Sequence, residues 1–181
     1  MPDPLSCKRF PPGEGIDWSR PGDLILVRGT SWRSKVTSAY QWGRARGSEE
    51  RHCAYWNHAA LVVGTNGAIV EAGTTGVVVQ HLGKYRDEDY RYVAVSATPE
   101  QRRRAVLYAL SRTGSPYDNF ALAGIVLSAL TRGRLRLRES QLDLCGGLVA
   151  RALACAGEHF EVRPSAMTPA DLAGHYRNPP P

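Results

Sequence analysis

The sequence predicts an α+β fold in which a mostly antiparallel sheet of about five strands packs against helices. Three observations support this fold class. Strand-like runs crowd the first part of the chain, helix signals dominate after residue 97, and the turns between the early strands are short. Parallel neighbours need a crossover of about a dozen residues or more, so these short turns favour antiparallel pairing.

The predicted strands are short apolar or alternating runs bounded by turn residues. The first follows Pro21-Gly22, a typical turn signal. Asn66-Gly67 separates two later runs, and this pair is the strongest hairpin signal for a short loop. The predicted strands cover 23–27, 58–63, 68–72, 77–82 and 90–95.

The predicted helices are defined mainly by their start signals. Segment 98–101 (TPEQ) combines an N-cap, a proline at the first helical position and a capping box. Segment 168–171 (TPAD) starts the last helix in a similar way. The charged segment 44–52 holds a glycine and is expected to be a mobile loop. The predicted helices cover about 32–40, 98–114, 119–132 and 145–157, with a short one after 168.

Length and composition predict one globular domain. The chain has 181 residues, of which 43% are hydrophobic and 22% charged. These values allow one sizeable core and give no sign of a second domain. We therefore expect an extended tail over 1–19, a single domain over 20–176 and a proline-rich tail over 177–181.

The net charge of +6 is carried almost wholly by arginine. The basic residues have neither zinc-finger spacing nor an RNA-binding signature, so no nucleic-acid partner is expected. An anionic lipid surface or cell-wall polymer stays open as a partner. The apolar run 120–130 is too short to span a bilayer and predicts a core helix or a peripheral membrane contact.

The four cysteines match neither a metal site nor a dense disulfide framework. This spacing favours a reduced setting, and we expect no metal and no other cofactor. The first residues form no apolar signal segment, so a cytoplasmic location is expected, with export by a signal-independent route left open.

Cys145 is the candidate nucleophile because it opens the helix predicted at 145–157. Unpaired N–H groups and the positive end of the helix dipole favour a thiolate at such a position. The same N–H groups can bind an oxyanion, and Gly146 keeps the approach open. The competing interpretation is a buried structural cysteine, which is the role we assign to Cys155 further along the helix.

His58 is the candidate base, and Glu71 is the candidate group that orients it. His58 begins an apolar strand, and Glu71 stands inside the apolar run AIVEA. A carboxylate in such a run is costly unless it is paired, which implies a specific partner. Antiparallel pairing across the Asn66-Gly67 turn would bring the two residues face to face or one step apart. The other histidines and a zinc site including His52 are weaker candidates.

The order of these segments resembles the permuted papain-like cysteine hydrolases of the NlpC/p60 superfamily, especially their YiiX/YaeF-like branch. Lecithin:retinol acyltransferase-like proteins are more distant relatives of similar order. The resemblance covers about residues 20–157. It rests on PGDLI at 21–25, NHA at 57–59, VEA at 70–72, GVV at 76–78, GSPYD at 114–118 and CGGL at 145–148.

The resemblance implies a permuted papain-like fold with Cys145 as nucleophile, His58 as base and Glu71 as orienting acid. It also implies a place near the oxyanion for Tyr117, although a packed turn tyrosine fits equally well. The family often has serine after the cysteine, whereas this chain has Gly146. Segment 30–56 has no clear counterpart and could be a lid or a specificity loop.

These features lead to the expectation of a cysteine amidase or peptidase that works through a thioester. The resemblance suggests a peptide amide, as in peptidoglycan-type peptides, or an N-acyl amide as substrate. Two alternatives remain open at this point: an acyltransferase or thioesterase acting on a lipid-like acyl group, and a non-catalytic binding module on the same fold. The oligomeric state is not predicted.

Overall fold

A computed structural model describes residues 7–16, 18–73, 75–115 and 145–177. Within them the chain forms a mixed α+β structure with an open antiparallel sheet of six strands and five helices. The strands are β1 (Cys7–Phe10), β2 (Leu24–Arg28), β3 (His58–Val62), β4 (Ala68–Gly73), β5 (Gly76–His81) and β6 (Asp89–Val93), in the spatial order β1-β6-β2-β3-β4-β5. The helices are α1 (Trp32–Arg44), α2 (Ser48–Cys53), α3 (Pro99–Ser111), α4 (Cys145–Cys155) and α5 (Pro169–His175).

The strand absent from the prediction is β1, which lies in the segment expected to be an extended tail. It pairs antiparallel with β6 at the edge of the sheet. Arg9 of β1 donates two hydrogen bonds to the carboxylate of Asp89, at 2.8 and 2.7 Å. The hydroxyl of Tyr55 donates to the same carboxylate. This two-point arginine contact fixes the register of a strand that has little apolar pattern of its own.

A second correction concerns segment 44–52, which was expected to be a mobile loop. Most of it is helical, because α1 continues to Arg44 and α2 begins at Ser48. Gln41 ties α1 to the core: its amide donates to Trp56 O at 2.9 Å and accepts from Ala170 N–H at 3.0 Å. The sequence pattern missed this because the bonds that order the segment join residues far apart in the chain. The predicted helix at 119–132 lies outside the described residues.

The remaining helices start and end close to the predicted positions. Thr98 and Thr168 each cap a helix through a complete capping box. The two faces of the sheet differ in what covers them. One face packs against α2 to α5 through residues such as Leu61 and Leu148, and the other is covered partly by a 3-10 turn, Leu82–Tyr85. The start of α4 and the 3-10 turn both approach His58 at the beginning of β3, and the candidate site lies there.

Candidate active site

Cys145 is the first residue of α4, as the sequence predicts. Its side chain forms hydrogen bonds with the side chain of His58 and with the backbone N–H groups of Ala59 and Gly146. Burial raises the pKa of the thiol, but the positive charge of His58 and these hydrogen bonds lower it more, so the pKa is below its usual value. The site therefore favours the thiolate, which is the nucleophilic form.

His58 is the first residue of β3 and stands between a sulfur and a carboxylate. Its Nε2 atom lies 2.8 Å from Glu71 Oε2, so its Nδ1 atom is left for Cys145. Burial lowers the pKa of His58, but Cys145 and then Glu71 raise it more, and the pKa lies above its usual value. Because the pKa of His58 is raised to about 10 and that of Cys145 is lowered, the thiolate and imidazolium form of the pair is favoured between the two pKa values.

The register between β3 and β4 explains how His58 and Glu71 come together. Leu61 pairs with Val70, and Val62 pairs with Ile69. Continuing this register sets Glu71 opposite the residue two positions beyond His58. The two residues are thus diagonal neighbours on one face, which long polar side chains can bridge. The offset of two positions is slightly larger than the directly opposed or adjacent pairing that the sequence predicts.

Two further residues form hydrogen bonds with Glu71, and neither was predicted from the sequence. Lys84 Nζ and the hydroxyl of Tyr85 each donate a hydrogen bond to its carboxylate. Burial raises the pKa of Glu71, but His58, Lys84 and Tyr85 together lower it to about 2. Burial and the neighbouring Glu71 raise the pKa of Tyr85 well above its usual value, so Tyr85 stays a donor. The only sequence signal was the requirement that a buried Glu71 be paired.

Gly146 is enclosed by backbone, which explains why this position carries no side chain. A Cβ there would lie 2.6 Å from Met167 O, 2.7 Å from Thr168 C and 2.9 Å from Pro169 N. These are main-chain atoms at the start of α5, which cannot move aside as a flexible side chain would. The serine that the resembling family often has at this position would not fit here.

Replacing Gly146 by alanine is expected to reduce the free energy of unfolding by about 1–3 kcal/mol, because the added methyl group overpacks the contact. Denaturant unfolding followed by tryptophan fluorescence measures the change. Gly43→Ala is the matched control: it lies in α1 with no atom near the added Cβ. Alanine there is expected to stabilise by roughly 0.5–1 kcal/mol. Equal effects at the two glycines would contradict the crowding argument.

Asn57, next to His58 in the chain, has a structural role. Its side chain accepts from Gly29 N–H at 2.8 Å and donates to Gly29 O at 3.0 Å and Ser38 Oγ at 3.1 Å. These bonds extend the pairing of β2 with β3 beyond the last strand residues. They hold the backbone that presents His58, so Asn57 acts as a positioning residue for the base.

The remaining predicted site residue, Tyr117, lies outside the described residues. Of the weaker histidine candidates, His81 bonds to Asn66 O at 2.8 Å and His175 to Glu158 at 2.8 Å, away from Cys145. In the part of the chain that the structure describes, no group of three or more His, Cys, Asp or Glu residues could hold a metal ion. None of the four cysteines forms a disulfide bond. The expectation that Cys155 is a buried structural cysteine is wrong, because Cys155 is the last residue of α4 and is exposed.

No protein-family model matches the chain, and no curated protein matches it at a significant level. Among the described ranges, none of the helices has both the length and the apolar character needed to cross a membrane.

Proposed function

We propose that this chain is a cysteine hydrolase with a permuted papain-like fold, and that it cleaves an amide bond through a thioester on Cys145. The single observation that carries the proposal is the chain of contacts from Cys145 to His58 to Glu71. A nucleophile, a base and a group that orients the base are what covalent hydrolysis requires. A purely structural cysteine would not need an imidazole held in place by a buried carboxylate.

The reaction begins with the Cys145 thiolate and the His58 imidazolium. The sulfur attacks the carbonyl carbon of the amide, and the carbonyl oxygen becomes an oxyanion at the N-terminal end of α4. His58 then gives its proton to the leaving nitrogen, the C–N bond breaks, and the acyl group stays on sulfur as a thioester. Water attacks next, losing a proton to His58, and the C–S bond breaks to release the acid and the thiolate.

Glu71 keeps the imidazole ready for both proton transfers. By accepting from Nε2 it fixes the tautomer that places Nδ1 towards the sulfur. Lys84 and Tyr85 restrict the carboxylate in turn, so we assign both the role of positioning residues. No metal or cofactor takes part in these steps. The substrate class we propose is a peptide or N-acyl amide, with peptidoglycan-type peptides as the first candidates.

The proposal is tested with p-nitrophenyl acetate, an activated acyl donor that places few demands on the substrate pocket. We expect a burst of p-nitrophenol and, by intact-protein mass after acid quenching, one acetyl group on Cys145. Cys145→Ala should abolish both, whereas Cys155→Ala, which removes an exposed thiol from the same helix, should leave both unchanged. Absence of the acetyl adduct on Cys145 would overturn the proposal.

The same assay separates hydrolysis from acyl transfer. If water is the acyl acceptor, acetate remains the product when an amine such as glycinamide is added. An acetylated amine as main product would replace the hydrolase with an acyltransferase. Adduct formation with no turnover under either condition would speak for a reactive binding module.

A further inference from the structure

Helix α1 exposes its two tryptophans and turns a polar side towards the core. Trp32 is 61% exposed and Trp42 is 55% exposed. On the inner side, buried Gln41 bonds to main-chain atoms, and Ser38 Oγ accepts from the Asn57 amide at 3.1 Å. A surface helix ordinarily buries its apolar stripe and exposes its polar residues. The arrangement in α1 is the reverse, so its outward side is suited to a partner.

The outward residues of α1 form one continuous face. Trp32, Lys35, Ala39, Trp42 and Gly43 are each exposed, and we call these five residues the α1 face. At 3.6 residues per turn they fall within an arc of about 100° around the helix axis, and the two tryptophans lie about 15 Å apart along it. A Cβ at Gly43 would meet no atom within 4 Å, so this part of the face is open.

The charge of α1 indicates the kind of partner. The 13 residues of the helix include three basic residues and no acidic one. Lys35 stands on the α1 face between the two tryptophans in the sequence, and the next acidic residues along the chain, Glu49 and Glu50, belong to α2. The whole chain has a net charge of +6. Two indoles with a cation between them fit a surface that is both apolar and negatively charged.

We propose that the α1 face docks onto the surface of an anionic lipid bilayer, with α1 lying in the plane of the interface. Indole rings favour the headgroup level of a bilayer, because each combines an apolar body with an N–H donor. The flexible stem of Lys35 lets its ammonium group reach the phosphate oxygens of anionic headgroups. A second copy of the chain fits less well, since a symmetric contact through this face would bring the two Lys35 side chains together.

Docking through the α1 face would also place the candidate active site near the lipid surface. The inner side of α1 is bonded through Ser38 to Asn57, which precedes His58 in the chain. A helix with its side chains is about 10 Å across. A bilayer seated on the α1 face would therefore lie roughly one helix diameter from the backbone that presents His58. This consequence for catalysis rests on the proposed function, whereas the docking itself rests on α1 alone.

The test measures co-sedimentation of the full chain with sucrose-loaded vesicles. Vesicles of equal parts phosphatidylglycerol and phosphatidylcholine are compared with vesicles of phosphatidylcholine alone. We expect the partition coefficient to be about tenfold higher on the anionic vesicles and to fall as salt is added. Brominated acyl chains should quench part of the tryptophan fluorescence, because interfacial side chains reach the acyl boundary. Fully buried Trp56 should escape this quenching.

Trp32→Ala and Trp42→Ala should each lower the partition coefficient by about tenfold, because each removes an indole that the bilayer would bury. The thermal midpoint should change little, since both side chains are exposed. Leu107→Ala is the matched control: it removes an apolar side chain that is likewise 55% exposed, but from α3, and should bind like the native chain.

Lys35→Gln tests the charge of the α1 face separately. It should lower binding to the anionic vesicles by about fivefold and leave binding to the neutral vesicles unchanged. Lys8→Gln is the matched control, because it removes the same charge from an exposed position on β1. Its binding should stay close to that of the native chain on both kinds of vesicle.

Three outcomes would overturn the docking proposal. The native chain may fail to bind anionic vesicles even at low ionic strength. A variant that lacks both Trp32 and Trp42 may bind as well as the native chain, which would assign the binding to basic residues elsewhere. Size-exclusion chromatography may show a native dimer that this double variant converts to a monomer, which would make a second copy the occupant of the α1 face.

Cys145→Ala separates docking from catalysis. This variant should sediment with anionic vesicles like the native chain, because the nucleophile takes no part in docking. A native chain that docks but forms no acyl adduct at Cys145 contradicts the proposed function alone. A chain that forms the adduct but does not sediment with the vesicles contradicts the docking alone.

Discussion

Replacing His58 by alanine is expected to slow the alkylation of Cys145 by iodoacetamide at neutral pH by roughly 100-fold. In the native protein His58 lowers the pKa of Cys145 and overcomes the effect of burial. Without the imidazole only burial and two backbone N–H groups remain, so the thiol stays protonated. A thiol with a pKa near 9 is only about 1% thiolate at neutral pH, and the thiolate is the reactive form.

The pH dependence provides a second signature of the same pair. Because the pKa of Cys145 is lowered and that of His58 is raised, the thiolate–imidazolium pair exists between the two values. Native Cys145 should therefore stay reactive on the acidic side of neutrality, and its reactivity should fall only as the pH drops through its lowered pKa. In the His58→Ala variant, reactivity should instead rise steadily as the pH is raised towards the alkaline range.

Mass mapping of time-resolved labelling measures both effects. His159→Ala is the matched control, since it removes an exposed histidine from another part of the surface, and its Cys145 rate should equal that of the native protein. Labelling of Cys155 in the same samples corrects for reagent and pH. A Cys145 rate that falls less than about threefold in His58→Ala would contradict the assigned pairing.

The largest expected effect on stability comes from Asp23, at the opposite end of β2 from the site. This fully buried carboxylate accepts from Arg102 Nη1 at 2.7 Å, Val95 N–H at 2.9 Å and Tyr92 OH. It joins the start of β2 to β6 and α3. Asp23→Ala leaves the Arg102 guanidinium, whose side chain is only 11% exposed, without its carboxylate. We expect a loss of about 3–5 kcal/mol in the free energy of unfolding.

Denaturant unfolding of the two variants tests this contribution. Glu100→Ala is the control, because Glu100 also pairs with an arginine of α3, Arg104, but both side chains are 60% exposed. An exposed pair of this kind contributes only about 0.3–0.5 kcal/mol. Similar effects for the two variants would show that burial does not amplify the Asp23 interaction.

Most of the described strands and helices were predictable from the sequence, which also singled out Cys145, His58 and Glu71 as candidate site residues. Local physics was sufficient there: the Thr98 capping box, the Asn66-Gly67 turn and the apolar periodicity each depend on residues a few positions apart. The placement of Cys145 at a helix start and the need of a buried Glu71 for a partner were also local signals. These two signals selected residues that the fold then brings together with His58.

Which residues from distant parts of the chain complete the site depends on the tertiary structure. Lys84 and Tyr85 reach Glu71 only because the 3-10 turn crosses the sheet face after β5, and nothing in their local sequence marks them. The exclusion of any side chain at Gly146 depends on the backbone at the start of α5. Likewise β1 and α2 are held by bonds between residues far apart. Such contacts depend on strand order and register, which short-range patterns do not specify.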